Sequence, residues 1–356
     1  MPPTEPVYSP AGRDDELRQV CDDVRLGRWW RMAELLDNTL GVQQRVERTR
    51  VLAEVGEGCV YAAWAWAREA PCPDAEVMKA RAAVYRARLL KRRNGAAAGA
   101  AAREAEALCW RALSMLRADA VPYVCLLALA PVAPPGGLLA VNLMSDPPPD
   151  PFLPAGPWRL LFWATWTEPC LREAYQRMLE LLTARQSWAA RDFCLWAAER
   201  DAAHHGRSEE PHGGSERDAA PHDRSEGPHG CALQTLPLHQ RALAYYKARQ
   251  DAPGSAMPHR AWRSLDIKPA VQQDVDRALA WFEGLRPGEG RLEDLHVLAH
   301  ALWASTRYQE AKGVFREIGH RYVPVPWAFA ADVPGDTHGG LKVFSRAREE
   351  CLSQKT

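Results

Sequence analysis

Two histidines, His296 and His300, stand four residues apart in the run LEDLHVLAHALWA. Side chains at that spacing on a helix share one face. Imidazoles placed so can exchange hydrogen bonds and titrate near neutral pH. Three readings fit such a pair: an ordinary solvated or packed pair, contact with a partner, or ligation of a metal. The run HVLAH departs from the zinc motif HExxH, because Val297 occupies the place of its glutamate. With Glu293 as the nearest carboxylate, the pair is short of ligands, and no metal is assigned to it.

Other residues invite chemistry with less order. The duplicated run ERDAAHHGRSEEPHGGS and ERDAAPHDRSEGPHG carries His204, His205, His212, His222 and His229. Almost nothing apolar accompanies them, so the tract has little to gain from ordering, and any metal would be held weakly. The run KARAAVYRARLLKRR sets Arg86, Arg88 and Arg92 where a helix could carry them to phosphates. Charge runs more often form solvated faces, and acidic helices nearby offer partners. The stretch from Trp158 to Trp196 is rich in tryptophan, a residue that fills wide grooves between helices or lines a pocket. No glycine-rich phosphate loop, dinucleotide fingerprint or GxSxG elbow occurs in the chain. No catalytic residue and no cofactor is therefore assigned, although residues distant in sequence can still assemble a pocket.

Composition narrows the class. The chain has 356 residues, 47% of them hydrophobic, enough for a packed core. Lys+Arg and Asp+Glu each number 45, so no general attraction to nucleic acid or anionic membrane is expected. The nine cysteines are scattered singly without a CxxC pair, which points to a reducing compartment and no disulfide framework. The opening residues hold no apolar run of the signal-peptide kind, and no stretch reaches membrane-span length. A cytoplasmic location is expected. Heavy use of Ala, Arg, Pro and Gly is the style of a high-GC, actinobacterial genome.

The elements that must position these residues read as helices almost throughout. Apolar residues recur at helical spacing in Asp14 to Leu26, where Leu17, Val20, Cys21 and Val24 share a side. Further helical segments follow from Arg45, Cys59, Ala75, Glu168, Ser187, Leu236 and Lys268. Proline clusters predict a linker over 145–157. The domain organisation expected is a flexible segment over 1–13, a helical lobe over 14–144, that linker, and a second lobe over 158–353. The duplicated tract over 201–230 is expected to be a disordered insertion in the second lobe.

One unit is more specific. Arg291 to Gly319 reads RLEDLHVLAHALWASTRYQEAKGVFREIG and resembles a tetratricopeptide repeat. Leu295, Leu298, Ala299 and Leu302 match its first helix, and Tyr308, Ala311 and Phe315 its second. Leu298, Ala299, Leu302, Tyr308, Ala311 and Phe315 are the expected packing positions, with Gly319 ending the second helix. Leu295 stands where tryptophan is common, Ala299 replaces glycine and Leu302 replaces tyrosine. Asp14 to Leu40 looks like a degenerate copy. The resemblance implies an all-α chain of antiparallel helical hairpins, stacked as a solenoid. It also implies a scaffold or adaptor that binds a peptide or protein domain on the first helices of its pairs. Carried onto this chain, that partner-binding face comprises Glu293, His296, His300, Trp303 and Ala304. The alternatives are a regulatory protein touching nucleic acid through 79–93, and a helical enzyme or small-molecule binder with a tryptophan-rich pocket.

Overall fold

Asp14 starts the first helix through its side chain: Oδ1 accepts the backbone N–H of Leu17 at 2.9 Å. A carboxylate there satisfies a free amide and sits at the positive end of the helix dipole. The computed structural model describes residues 6–93, 95–132, 144–185, 187–208, 232–252, 262 and 268–354. Among them are sixteen α-helices and one pair of two-residue strands. The fold is all-α.

The chain divides into two compact units, one of Pro10–Asp192 and one of Met1–Ser9 with Phe193–Thr356. The first holds α1 (Asp15–Arg25), α2 (Trp30–Asp37), α3 (Val42–Glu54), α4 (Glu57–Glu69) and α5 (Pro73–Arg92). It continues with α6 (Ala98–Met115), α7 (Ala120–Leu129), α8 (Trp158–Ala164) and α9 (Arg172–Arg185). Helix α10 (Ser187–Ser208) spans the division. The apolar stripe of α1 is fully buried with Met32, Leu35 and Leu36 of α2 and Trp66 of α4. Trp29 stacks on Trp66 with ring centroids 6.0 Å apart. Helices α5 and α6 pack on each other, and both bury alanines, among them Ala80, Ala87, Ala102 and Ala105, small side chains that permit close approach of backbones. Helix α3 ties helix starts together. Arg48 Nε donates to Asp14 Oδ2 at 2.8 Å, and Arg45 Nη2 donates to Asp119 Oδ2 at 2.8 Å. Asp119 in turn caps α7 through Val121 N.

The boundary falls at 192/193, not in the proline cluster over 145–157. That cluster is part of the first unit because it has partners there. Asp146 pairs with Gly156 and accepts Arg159 Nε at 2.7 Å, and Trp158 Nε1 donates to Pro154 O at 2.9 Å. Leu153 and Trp158 are buried. The expected insertion over 201–230 lies outside the described residues from 209 onward, whereas 201–208 complete α10.

The second unit holds β1 (Val7–Tyr8), a 3-10 turn (Ala232–Thr235), α11 (Leu236–Asp251), α12 (Lys268–Glu283), α13 (Leu292–Ala304) and α14 (Tyr308–Ile318). It ends with β2 (Arg321–Tyr322), α15 (Trp327–Ala330) and α16 (Thr337–Leu352). The N-terminal segment is not wholly free: Val7 and Tyr8 pair in parallel with Arg321 and Tyr322. Helix α13 is the centre of this unit, packed by α11, α12, α14 and α16. It is buried nearly all round, with Asp294, His296 and His300 among its enclosed residues. Its turn into α14 closes as a Schellman motif. Arg307 N bonds to Leu302 O at 2.8 Å and Thr306 N to Trp303 O at 3.0 Å, with Thr306 at φ 65°. Gly319, at φ 66°, ends α14. Leu298, Ala299, Leu302, Ala311 and Phe315 lie fully inside the seam between α13 and α14, with Tyr308 half-buried at its edge. At Gly340 a side chain would meet Ala328 N at 2.6 Å, so only glycine lets α16 pass so close to α15.

Candidate functional site

Helix α13 divides its polar residues between two surroundings. His296 is fully buried and His300 is 2% exposed. Trp327 Nε1 donates to His296 Nδ1 at 2.7 Å, so the His296 proton sits on Nε2, which is buried without a hydrogen-bond partner. Burial pushes both imidazoles down to about 3, so both are neutral at physiological pH. Asp294 is buried with them and accepts the Thr235 hydroxyl at 3.0 Å. The partner-binding face expected on α13 therefore does not form as a continuous surface. In an open array the first helix of a pair is uncovered on one side, but here α11, α12, α14 and α16 cover it. His296 and Ala304 are core positions, and Glu293 is half-buried 3.9 Å from Arg291.

One end of α13 does reach an opening. A cleft of about 330 Å³ is lined by Tyr245, Trp262, His300, Trp303, Ala304, Ala330 and Arg346. Three of the five residues expected on the partner face thus meet in it. Its walls are aromatic: Trp262 lies edge-on to His300 at 5.4 Å between centroids, and His300 faces Trp303 at 5.9 Å. Trp303 is half-buried and donates Nε1–H to Glu350 Oε2 at 2.7 Å. The Arg346 guanidinium lies over the Trp303 ring at 5.7 Å, and that of Arg249 over Tyr245 at 5.8 Å. Two buried polar atoms of the lining residues, His300 Nδ1 and Trp262 Nε1, have no hydrogen-bond partner.

His300 is held neutral by burial, and its Nδ1 is not hydrogen-bonded. Aromatic walls with a few polar groups are the usual make-up of a site that holds a planar or bulky group. Among the described residues no three His, Cys, Asp or Glu side chains gather as metal ligands. No helix among them is long and apolar enough to cross a membrane.

No protein-family model, curated protein or solved structure compared with the chain matches it.

The other candidates are placed differently. On α5, Arg86 and Arg92 are exposed, while Arg88 turns inward and donates to Glu180 Oε2 at 2.7 Å. Lys79 is engaged by Glu76 and lies over Trp64, and Arg81 is buried against Glu173. The basic run is thus split between interior and solvent. In the tryptophan-rich region Trp158 is core, whereas Phe162, Trp163 and Trp166 are exposed on the first unit. With Tyr123 and Arg117 they line a shallow cleft of about 250 Å³. The insert histidines His212, His222 and His229 lie outside the described residues, as do the side chains of His204 and His205.

Sequence reasoning missed Tyr245, Trp262, Ala330 and Arg346 in the cleft at the end of α13. They come from segments up to a hundred residues away from each other, and no spacing links them. The one signal available was a tryptophan, Trp262, in a proline- and arginine-rich stretch without helical pattern.

Proposed function

We propose that this chain is a cytoplasmic bacterial adaptor of tetratricopeptide-like construction, which holds a bulky side chain of a partner peptide in the cleft at the end of α13. The observation that carries this is the cleft itself, with half-buried Trp303 set among Tyr245, Trp262 and His300. Aromatic anchors in a partly desolvated pocket dominate recognition energy, and one such pocket is enough to fix where a peptide docks. The α13–α14 hairpin, with its alanine crossings and Schellman turn, supports the repeat-like reading.

The test is selection from a displayed random-peptide library on the full chain, followed by affinity measurement. Trp303→Ala is expected to weaken the selected peptides about 30-fold, the usual effect of truncating an anchor. Arg86→Gln with Arg92→Gln should leave them unchanged. Peptides indifferent to Trp303 would remove the cleft from the binding surface. Salt-dependent retention of nucleic acid, lost in the double arginine variant, would move the function to α5.

A further inference from the structure

Resting on that assignment of the cleft, the polar atoms around it define what it takes. We infer that the cleft is a site for an aromatic carboxylate: a planar ring between Trp303, Trp262 and Tyr245, with its carboxylate at Arg346.

The ring follows from the walls, three large aromatic side chains around about 330 Å³. The sign of charge follows from the surrounding groups. Arg346 sits over Trp303 and Arg249 over Tyr245, and the carboxylate of Glu350 already accepts Trp303 Nε1–H. Arg249 is used by the backbone oxygens of Phe329 and Asp332. Arg346 is not used in this way. Its side chain is 64% exposed, and its contact with Glu350 is a long 3.8 Å. A guanidinium presents a planar fork of donors that matches a carboxylate. The buried Trp262 Nε1–H is a second donor without an acceptor, and leaving it so costs free energy that an acceptor on a ligand would recover. A cationic ligand, which an aromatic box would otherwise suit, is opposed by both guanidiniums.

Three probes share one ring and differ in charge: indole-3-acetate, indole-3-acetamide and tryptamine. Calorimetry on the full chain is expected to rank them in that order, with the acid at least tenfold tighter than the amide. Arg346→Gln should cost the acid about tenfold and leave the amide unchanged, a loss of the size expected when one charge-assisted pair is removed. Arg346→Lys should restore part of it, and Trp303→Ala should weaken all three. The tripeptide Gly-Gly-Trp, compared with its C-terminal amide, separates the two sources of such a group. Tighter binding of the peptide acid assigns a chain terminus, and tighter binding of indole-3-acetate assigns a free small acid. Equal affinity for the acid and the amide, or an acid affinity untouched by Arg346→Gln, overturns the inference. If no indole probe binds while selected peptides still depend on Trp303, the carboxylate falls and the cleft stands. If the peptides are indifferent as well, both fall.

Discussion

His300 couples the stability of its unit to pH. Its imidazole is 2% exposed, has no partner at Nδ1, and is pushed down to about 3 by burial. An unfolded histidine titrates near 6.5, so the unfolded chain binds a proton over a range where the folded chain does not. The sign is set by that difference. The stabilisation is full above about pH 6.5 and is lost as pH falls toward 3. The slope is up to about 1.4 kcal/mol per pH unit for each such group. His296 contributes in the same direction, although it also accepts from Trp327. His300→Phe keeps the ring shape and removes one titrating group. Urea unfolding between pH 7 and 4 should show a shallower loss of stability for this variant, by about one proton's worth. Parallel curves for the two proteins would mean that His300 is protonated in the fold without penalty.

At the scale of elements, α5 and α9 are joined by buried charges. Arg81 Nη2 pairs with Glu173, each side chain being 4% exposed, and Arg177 Nη2 reaches the same carboxylate at 2.7 Å. Burial by itself would raise the Glu173 carboxyl, but Arg81 and Arg177 outweigh it and hold it at about 2. Arg88 joins the network through Glu180, and burial together with Arg177 brings its guanidinium down to about 10. A buried pair adds little net stability, because desolvation offsets attraction, yet breaking it strands a charge. Glu173→Gln should therefore cost about 3–5 kcal/mol in urea unfolding. Arg81→Met combined with Glu173→Leu should cost less than that single change. A double variant whose loss equals the sum of its single variants would show that the two groups are not coupled.

At the scale of the molecule, Pro10–Asp192 forms a compact unit with a buried core, capping aspartates tied to Arg45 and Arg48, and the buried Arg81–Glu173 pair. A segment of this kind has what an independent domain needs. Expressed alone, it is expected to be helical and to unfold in one cooperative urea transition. A broad, non-cooperative transition would show that the remainder of the chain is required for its packing.

Much of this protein is legible without coordinates. Helical periodicity placed α1, α5, α12, α13 and α14, because a 3.6-residue stripe is a local property of the chain. The stop at Gly319 and the packing of Ala299 and Ala311 between α13 and α14 are local too, each set by the geometry of one turn or one seam. The unit boundary was not legible. Proline marks where a helix breaks, but whether the broken segment separates two bodies depends on partners such as Arg159 and Trp158 packing onto it. The surface of α13 was not legible either. A histidine four residues from another looks the same whether four helices cover it or none, and only the packing of α11, α12, α14 and α16 removed His296 from contact and left Trp303 at an opening. Local chemistry is written in residue types and spacing, whereas burial is a property of neighbours brought from elsewhere in the chain. The cleft therefore belongs to the tertiary structure: Tyr245, Trp262 and Arg346 share no motif with α13 and meet it only when the unit is folded.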